Sequence, residues 1–121
     1  MAPEKASIFY VEDDEDSFAV TNEFLEMSGH HVTVKATSLK DALAKIPMLT
    51  ENGVNVAIVD GNLSFGDESG QDGERVALEI KKHNKSITVI GHALSKPINN
   101  ADVNSTKHEG SMSLAEVVTN S

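Results

Sequence analysis

The stretch Val54-Asn-Val-Ala-Ile-Val-Asp60 decides the fold of this chain. It is apolar almost throughout, which is typical of a central strand of a parallel sheet that is buried on both faces. It ends in a carboxylate, and open α/β sheets bind their ligands outside the carboxyl ends of the strands. Asp60 is therefore the first candidate for a functional residue.

Strand and helix patterns alternate on both sides of this stretch. Further strands are predicted at 7–11, 31–35, 86–92 and 101–106. Helices are predicted at 15–28, from Ser38 to Leu49, at 73–83 and from Ser113 onward. The first ends at Gly29, and Pro47 bends or shortens the second. This alternation predicts a doubly wound α/β fold, a flavodoxin-like five-stranded parallel sheet of order 2-1-3-4-5.

Length and composition narrow the class of protein. At 121 residues, the chain is expected to form a single domain over 1–121. It has no cysteine, which excludes disulfides, thiolate catalysis and cysteine-based zinc sites. The net charge of −9 argues against direct nucleic-acid binding through a basic face. We find neither a signal peptide pattern nor an apolar run of membrane length, so we expect a cytoplasmic protein without membrane contact.

Two charged features are expected at the same edge of the sheet as Asp60. The acidic cluster Glu12-Asp13-Asp14 follows the first strand, and Lys107 follows the last. An acidic run is by itself most often a solvated face. Carboxylates at neighbouring strand ends, however, suit a hard, oxygen-seeking cation such as Mg²⁺. This arrangement suggests phosphoryl chemistry on an aspartate.

Over essentially its whole length the chain resembles a response regulator receiver domain. Four motifs carry the resemblance, in order: Tyr-Val-Glu12-Asp13-Asp14, Ile-Val-Asp60-Gly-Asn62-Leu-Ser64, Asp72-Gly73 and Ala101-Asp102-x4-Lys107. The resemblance implies a signalling domain of a two-component system. Such a domain is not a classical enzyme and catalyses only its own phosphoryl transfer and slow autodephosphorylation.

The resemblance also implies roles for individual residues. Asp60 corresponds to the phosphoacceptor and Lys107 to the lysine that pairs with the phosphoryl oxygens. Glu12, Asp13 and Asp60, with the backbone carbonyl of Asn62, correspond to the Mg²⁺ ligands. Asp14 is a weaker candidate, either an acid that supports the ligands without binding the ion or merely part of the first helix. The implied phosphodonor is a sensor histidine kinase or a histidine phosphotransfer protein, and output would pass to a downstream protein.

The sequence departs from the family pattern at its switch positions. Receiver domains place a Thr or Ser at the end of strand four, and here the position falls on Ala93, or on Ser95 if the hydroxyl is displaced. The aromatic switch position on strand five is Asn104. These departures favour an alternative reading, a pseudo-receiver that binds partners without being switched by phosphorylation.

The segment between strands four and five is short. Residues 94–100 contain a central proline and leave no room for a helix with two connecting turns. Helix four is therefore predicted to be missing or replaced by a short loop. Its loss would alter the output face, and a partner or a homodimer is expected to complete that face.

Three further features lie in or near the predicted site. The predicted loop 65–71 is long for an α/β unit. Two interpretations are open: a tolerated surface insertion, or a lid over the site. His92 lies beside the predicted site but lacks a metal-ligand spacing. A small aspartate-nucleophile phosphatase would need a second aspartate at position 62, where the chain has Asn62.

Overall fold

The computed structural model describes residues 6–12, 15–60, 71–93 and 101–106. The strands are β1 (Ser7–Val11), β2 (His31–Ala36), β3 (Val56–Asp60), β4 (Thr88–Ala93) and β5 (Val103–Thr106). The helices are α1 (Glu15–Met27), α2 (Leu39–Lys45) and α3 (Gln71–His83), and a 3₁₀ turn at Ile46–Met48 follows α2. The strands form one sheet in the order β2-β1-β3-β4-β5, and each pair is parallel. The predicted strand order is confirmed.

Alternate residues of the central strands enter two separate cores. Phe9 and Val11 of β1 pack into a cluster with side chains of α2 and α3, whereas Ile8 and Tyr10 pack into a second cluster with Leu25 of α1. All four β1 residues are essentially inaccessible to solvent. Burial on both faces explains why the central strands have nearly continuous apolar sequences.

The helix ends follow local signals that are visible in the sequence. Ser38 Oγ accepts a hydrogen bond from the Asp41 backbone N–H at 3.1 Å and caps α2. The Asp41 carboxylate accepts in turn from the Thr37 N–H at 3.2 Å, one residue outside the expected capping box. Gly29, with φ of 90°, ends α1 in the left-handed region that favours glycine.

Some boundaries differ from the sequence predictions by one to four residues. Helix α2 ends at Lys45, because Pro47 lies in the following 3₁₀ turn. Helix α3 begins at Gln71 rather than at residue 73, so the last residue of the 65–71 loop belongs to the helix. Residues 61–70, the expected helix-four segment 94–100 and the expected last helix lie outside the described residues. Among the described helices, none is long and apolar enough to cross a membrane.

Candidate functional site

The site edge, by which we mean the carboxyl ends of β1, β3 and β4, brings together residues distant in sequence. Val11 of β1 lies in register with Val59 of β3, so Glu12 and Asp60 follow paired positions. Asp60, the last residue of β3, lies in register with His92 of β4. Neighbouring strands lie about 4.8 Å apart, so these backbone positions form a compact row.

Glu12 is the one expected metal ligand whose side chain the structure describes. The residue is only 3% exposed, and its backbone N–H donates to the Ala36 carbonyl of β2 at 3.0 Å. This hydrogen bond continues the β1–β2 ladder past the end of β1 and fixes where the Glu12 side chain begins. A buried carboxylate is stable only when positive charge or hydrogen bonds compensate for its lost hydration.

The other expected site residues are known in backbone position only or lie outside the described ranges. Asp60 and Ala93 end β3 and β4 as predicted. Asp13, Asn62, Ser95 and Lys107 lie outside the described residues, and Lys107 directly follows the last residue of β5, Thr106. Within the described ranges no group of three or more His, Cys, Asp or Glu side chains could hold a metal.

The donor chemistry of this edge fits Mg²⁺. Carboxylate and carbonyl oxygens are the ligands that Mg²⁺ prefers, and Glu12 supplies such a carboxylate from the central part of the sheet. Glu12, Asp13, Asp60 and the Asn62 carbonyl are the residues that would hold the ion.

A lysine that the sequence reasoning missed orders the neighbourhood of this edge. Lys35 Nζ lies 3.1 Å from both carboxylate oxygens of Glu15 and 4.1 Å from the centroid of the Phe18 ring. Phe18 packs edge-to-face against Tyr10 of β1, with 5.2 Å between the ring centroids. These contacts tie the first turn of α1 to β1 and β2. The local signal was weak, because polar and apolar residues alternate along β2 and Lys35 is one of its three polar residues.

The register also reveals the position of His92. A sequence pattern shows that His92 lies near the end of β4, but only strand pairing shows that its backbone lies opposite Asp60. His92 therefore belongs to the site edge.

Comparison of the structure with solved proteins identifies the fold. A response regulator of the LuxR family from Aurantimonas sp. SI85-9A1 has a TM-score of 0.76 at 15% identity, covering 94% of this chain and 82% of that one. A CheY-like receiver domain protein from Methanospirillum hungatei JF-1 has a TM-score of 0.74 at 23% identity, covering 95% and 91%. The receiver domain of the putative response regulator NarL from Mycobacterium tuberculosis has a TM-score of 0.76 at 17% identity, covering 98% and 96%.

The chain therefore has the fold of response regulator receiver domains over nearly its whole length. The resemblance inferred from the sequence motifs is confirmed at the level of the fold. Neither a protein-family profile nor a curated protein sequence matches the chain.

Proposed function

We propose that this chain is the phosphoacceptor receiver of a two-component phosphorelay and that Asp60 takes a phosphoryl group from a phosphohistidine. The observation that carries the proposal is the register of Val11 with Val59, which brings Glu12 and Asp60 to one edge of the sheet. The buried carboxylate of Glu12 beside a strand-end aspartate supports a Mg²⁺-assisted phosphoryl site. The receiver-like fold supports the same role.

The proposed step is an in-line displacement. An oxygen of the Asp60 carboxylate forms a bond to phosphorus as the phosphorus–nitrogen bond of the donor histidine breaks, and the imidazole leaves with the electron pair. When bound, Mg²⁺ neutralises charge on the phosphoryl oxygens. Glu12, Asp13 and the Asn62 carbonyl would hold that ion, and Lys107 would pair with a phosphoryl oxygen. The donor is a sensor histidine kinase or a histidine phosphotransfer protein, and output passes through protein contacts.

The chain's own residues contribute chiefly by position. Phosphoryl transfer requires little covalent assistance, so catalysis comes from alignment and electrostatic stabilisation. The Glu12 backbone, hydrogen-bonded to Ala36, and the strand pairing of Asp60 supply a rigid base for both carboxylates.

Intact mass spectrometry tests this proposal. The wild-type protein is incubated with acetyl phosphate and Mg²⁺, beside Asp60→Asn and the surface control Asp16→Asn. We expect a single phosphoryl adduct in the wild type and in Asp16→Asn, and none in Asp60→Asn or when Mg²⁺ is chelated. An adduct that persists in Asp60→Asn would move the acceptor elsewhere.

A pseudo-receiver remains the second candidate, and a specific observation favours it. Ala93 is the last residue of β4, and Asn104 lies within β5 in register with Gly91. By the family resemblance, a hydroxyl and an aromatic side chain would normally occupy these positions. A folded wild-type protein that gains no adduct from acetyl phosphate or from a phosphorylated histidine phosphotransfer protein would favour this candidate.

A further inference from the structure

A groove of about 440 Å³ lies between α2 and α3, on the opposite side of the sheet from α1. We call it the α2–α3 groove. One wall is apolar and consists of Leu43, Ile46 and Pro47, from the end of α2 and the 3₁₀ turn. The other wall is one face of α3 and consists of Arg75, Glu79, Lys82 and His83. The groove thus combines apolar surface with two basic side chains and one acidic side chain.

The charged rim of the groove is only weakly neutralised. Lys82 Nζ lies 3.7 Å from a Glu79 carboxylate oxygen, and the Lys82 side chain is 64% exposed. Arg75 is exposed, and none of the described residues forms an ion pair with it. Exposed pairs of this kind contribute little to folding, so both cations are available to a partner.

The groove lining has a small excess of positive charge in an acidic protein. Helix α3 as a whole is balanced, with Asp72, Glu74 and Glu79 against Arg75, Lys81 and Lys82. In the lining, however, Arg75 and Lys82 outnumber Glu79, whereas the whole chain has a net charge of −9. Lys81 is occupied by Asp102, with 2.8 Å between Nζ and Oδ2. The excess positive charge of the groove is therefore carried by Arg75 and Lys82.

We propose that the α2–α3 groove binds an acidic amphipathic helix of a partner protein. Its apolar side chains would lie against Leu43, Ile46 and Pro47, and its carboxylates would pair with Arg75 and Lys82. Arg75 and His83 are eight positions apart, which corresponds to about 12 Å along α3. Two turns of a docked helix match this length, and an apolar stripe flanked by charge is what helix-in-groove recognition requires. The proposal does not depend on phosphorylation of Asp60.

Fluorescence anisotropy with a defined probe tests the proposal. The probe is a fluorescein-labelled helical peptide with leucines on one face and glutamates beside them, and the comparison peptide has lysine at each glutamate position. The protein variants are Arg75→Glu/Lys82→Glu and a control of equal charge change, Lys40→Glu/Lys85→Glu, whose exposed side chains lie outside the groove lining. Asp60→Asn is included so that loss of the proposed phosphorylation is measured separately.

We expect saturable binding of the acidic probe that is weakened about tenfold or more by Arg75→Glu/Lys82→Glu, because two attractions become repulsions. The control variant and Asp60→Asn should bind within about twofold of the wild type, a difference well below 1 kcal/mol. Equal weakening by the control variant, equal binding of the lysine peptide, or no binding by the wild type would overturn the proposal. So would a wild-type dimer in sedimentation that Arg75→Glu/Lys82→Glu dissociates, since a second copy would then occupy the groove.

Discussion

At the residue scale, the position of Glu12 connects the fold to the proposed chemistry. Its carboxylate is buried at the site edge although the acids that follow on α1, Glu15 and Asp16, are exposed. A solvated acidic face would leave all these side chains in water. The acidic run is therefore divided by the structure into a buried first member and an exposed helical face.

We predict that Glu12→Gln weakens Mg²⁺ binding about tenfold or more, because an amide oxygen carries no net charge with which to attract the ion. Isothermal titration calorimetry of the unphosphorylated protein measures this directly. Glu15→Gln is the matched control, since Glu15 is paired with Lys35 and its side chain is 72% exposed. Equal Mg²⁺ affinity in Glu12→Gln and the wild type would remove Glu12 from the proposed ligand set.

His30 is a second residue whose environment has a measurable consequence. Its ring is fully buried, and Nδ1 accepts a hydrogen bond from the Ala6 N–H at 2.9 Å. Burial lowers the pKa of His30 from its ordinary value of 6.5. A proton on Nδ1 would remove the acceptor of this hydrogen bond and place two donors against each other. The folded state therefore favours the neutral ring.

The pKa of His30 is lower in the folded state than in the unfolded state. The buried neutral ring therefore contributes fully to the free energy of unfolding above about pH 6.5. This contribution falls as the pH decreases from about 6.5 toward the lowered pKa. We predict that lowering the pH from about 7.5 to about 5.5 decreases the free energy of unfolding of the wild type more than that of His30→Asn. The Asn side chain offers a hydrogen-bond acceptor but does not titrate in this range. Urea unfolding followed by circular dichroism measures both.

His83→Asn serves as the comparison for His30→Asn, because the His83 ring is exposed. This variant should keep the pH dependence of the wild type. If His30→Asn keeps it as well, the acid sensitivity of this protein originates from other groups.

At the element scale, the start of β5 is held by a clasp of Asp102 and Lys81. Asp102 Oδ2 accepts hydrogen bonds from the Val89 N–H and from Lys81 Nζ, each at 2.8 Å, and the Asp102 N–H donates to the Val89 carbonyl at 2.8 Å. Lys81 Nζ also donates to the Ile87 carbonyl at 2.8 Å. The clasp joins α3, β4 and the edge strand β5 directly.

We predict that Asp102→Ala lowers the free energy of unfolding by about 1–2 kcal/mol, since charge-assisted hydrogen bonds are lost from partly exposed groups. Chemical denaturation measures the change. Glu51→Ala, at an exposed position, should change stability by less than about 0.5 kcal/mol. In a double-mutant cycle with Lys81→Met, the two changes should not be additive; strict additivity would show that the pair does not act as a unit.

At the scale of the whole molecule, the sheet separates two surfaces of different character. The acids of α1 are on one side, and the α2–α3 groove with its basic rim is on the other. The carboxyl ends of the strands lie between them. In the proposed function, Asp60 accepts the phosphoryl group at one edge while a different face is left for a partner.

Much of the fold could be predicted from the sequence because its signals are local. Four of these signals each act within a few residues of chain. They are the buried apolar run before Asp60, the N-cap Ser38, Gly29 at the end of α1 and Pro47 after the end of α2. The parallel sheet followed from the alternation of strands and helices together with the preference for right-handed crossovers, and five strands in a chain of this length suited the flavodoxin-like order. Asp60 and Glu12 were predicted to meet at one edge because a parallel sheet assembles its strand ends there, and the register of β1 with β3 agrees.

The pairings between distant residues were decided only by the tertiary structure. The bond from Ala6 to His30 spans 24 positions, the contact of Lys35 with Glu15 spans 20 and the clasp of Lys81 with Asp102 spans 21. The opposition of Asp60 and His92 depends on strand register, and the α2–α3 groove depends on how two helices pack on the sheet. A local pattern determines that an element forms and which of its faces is apolar. Register and helix packing follow from how whole elements fit together, and no short stretch of sequence contains that information.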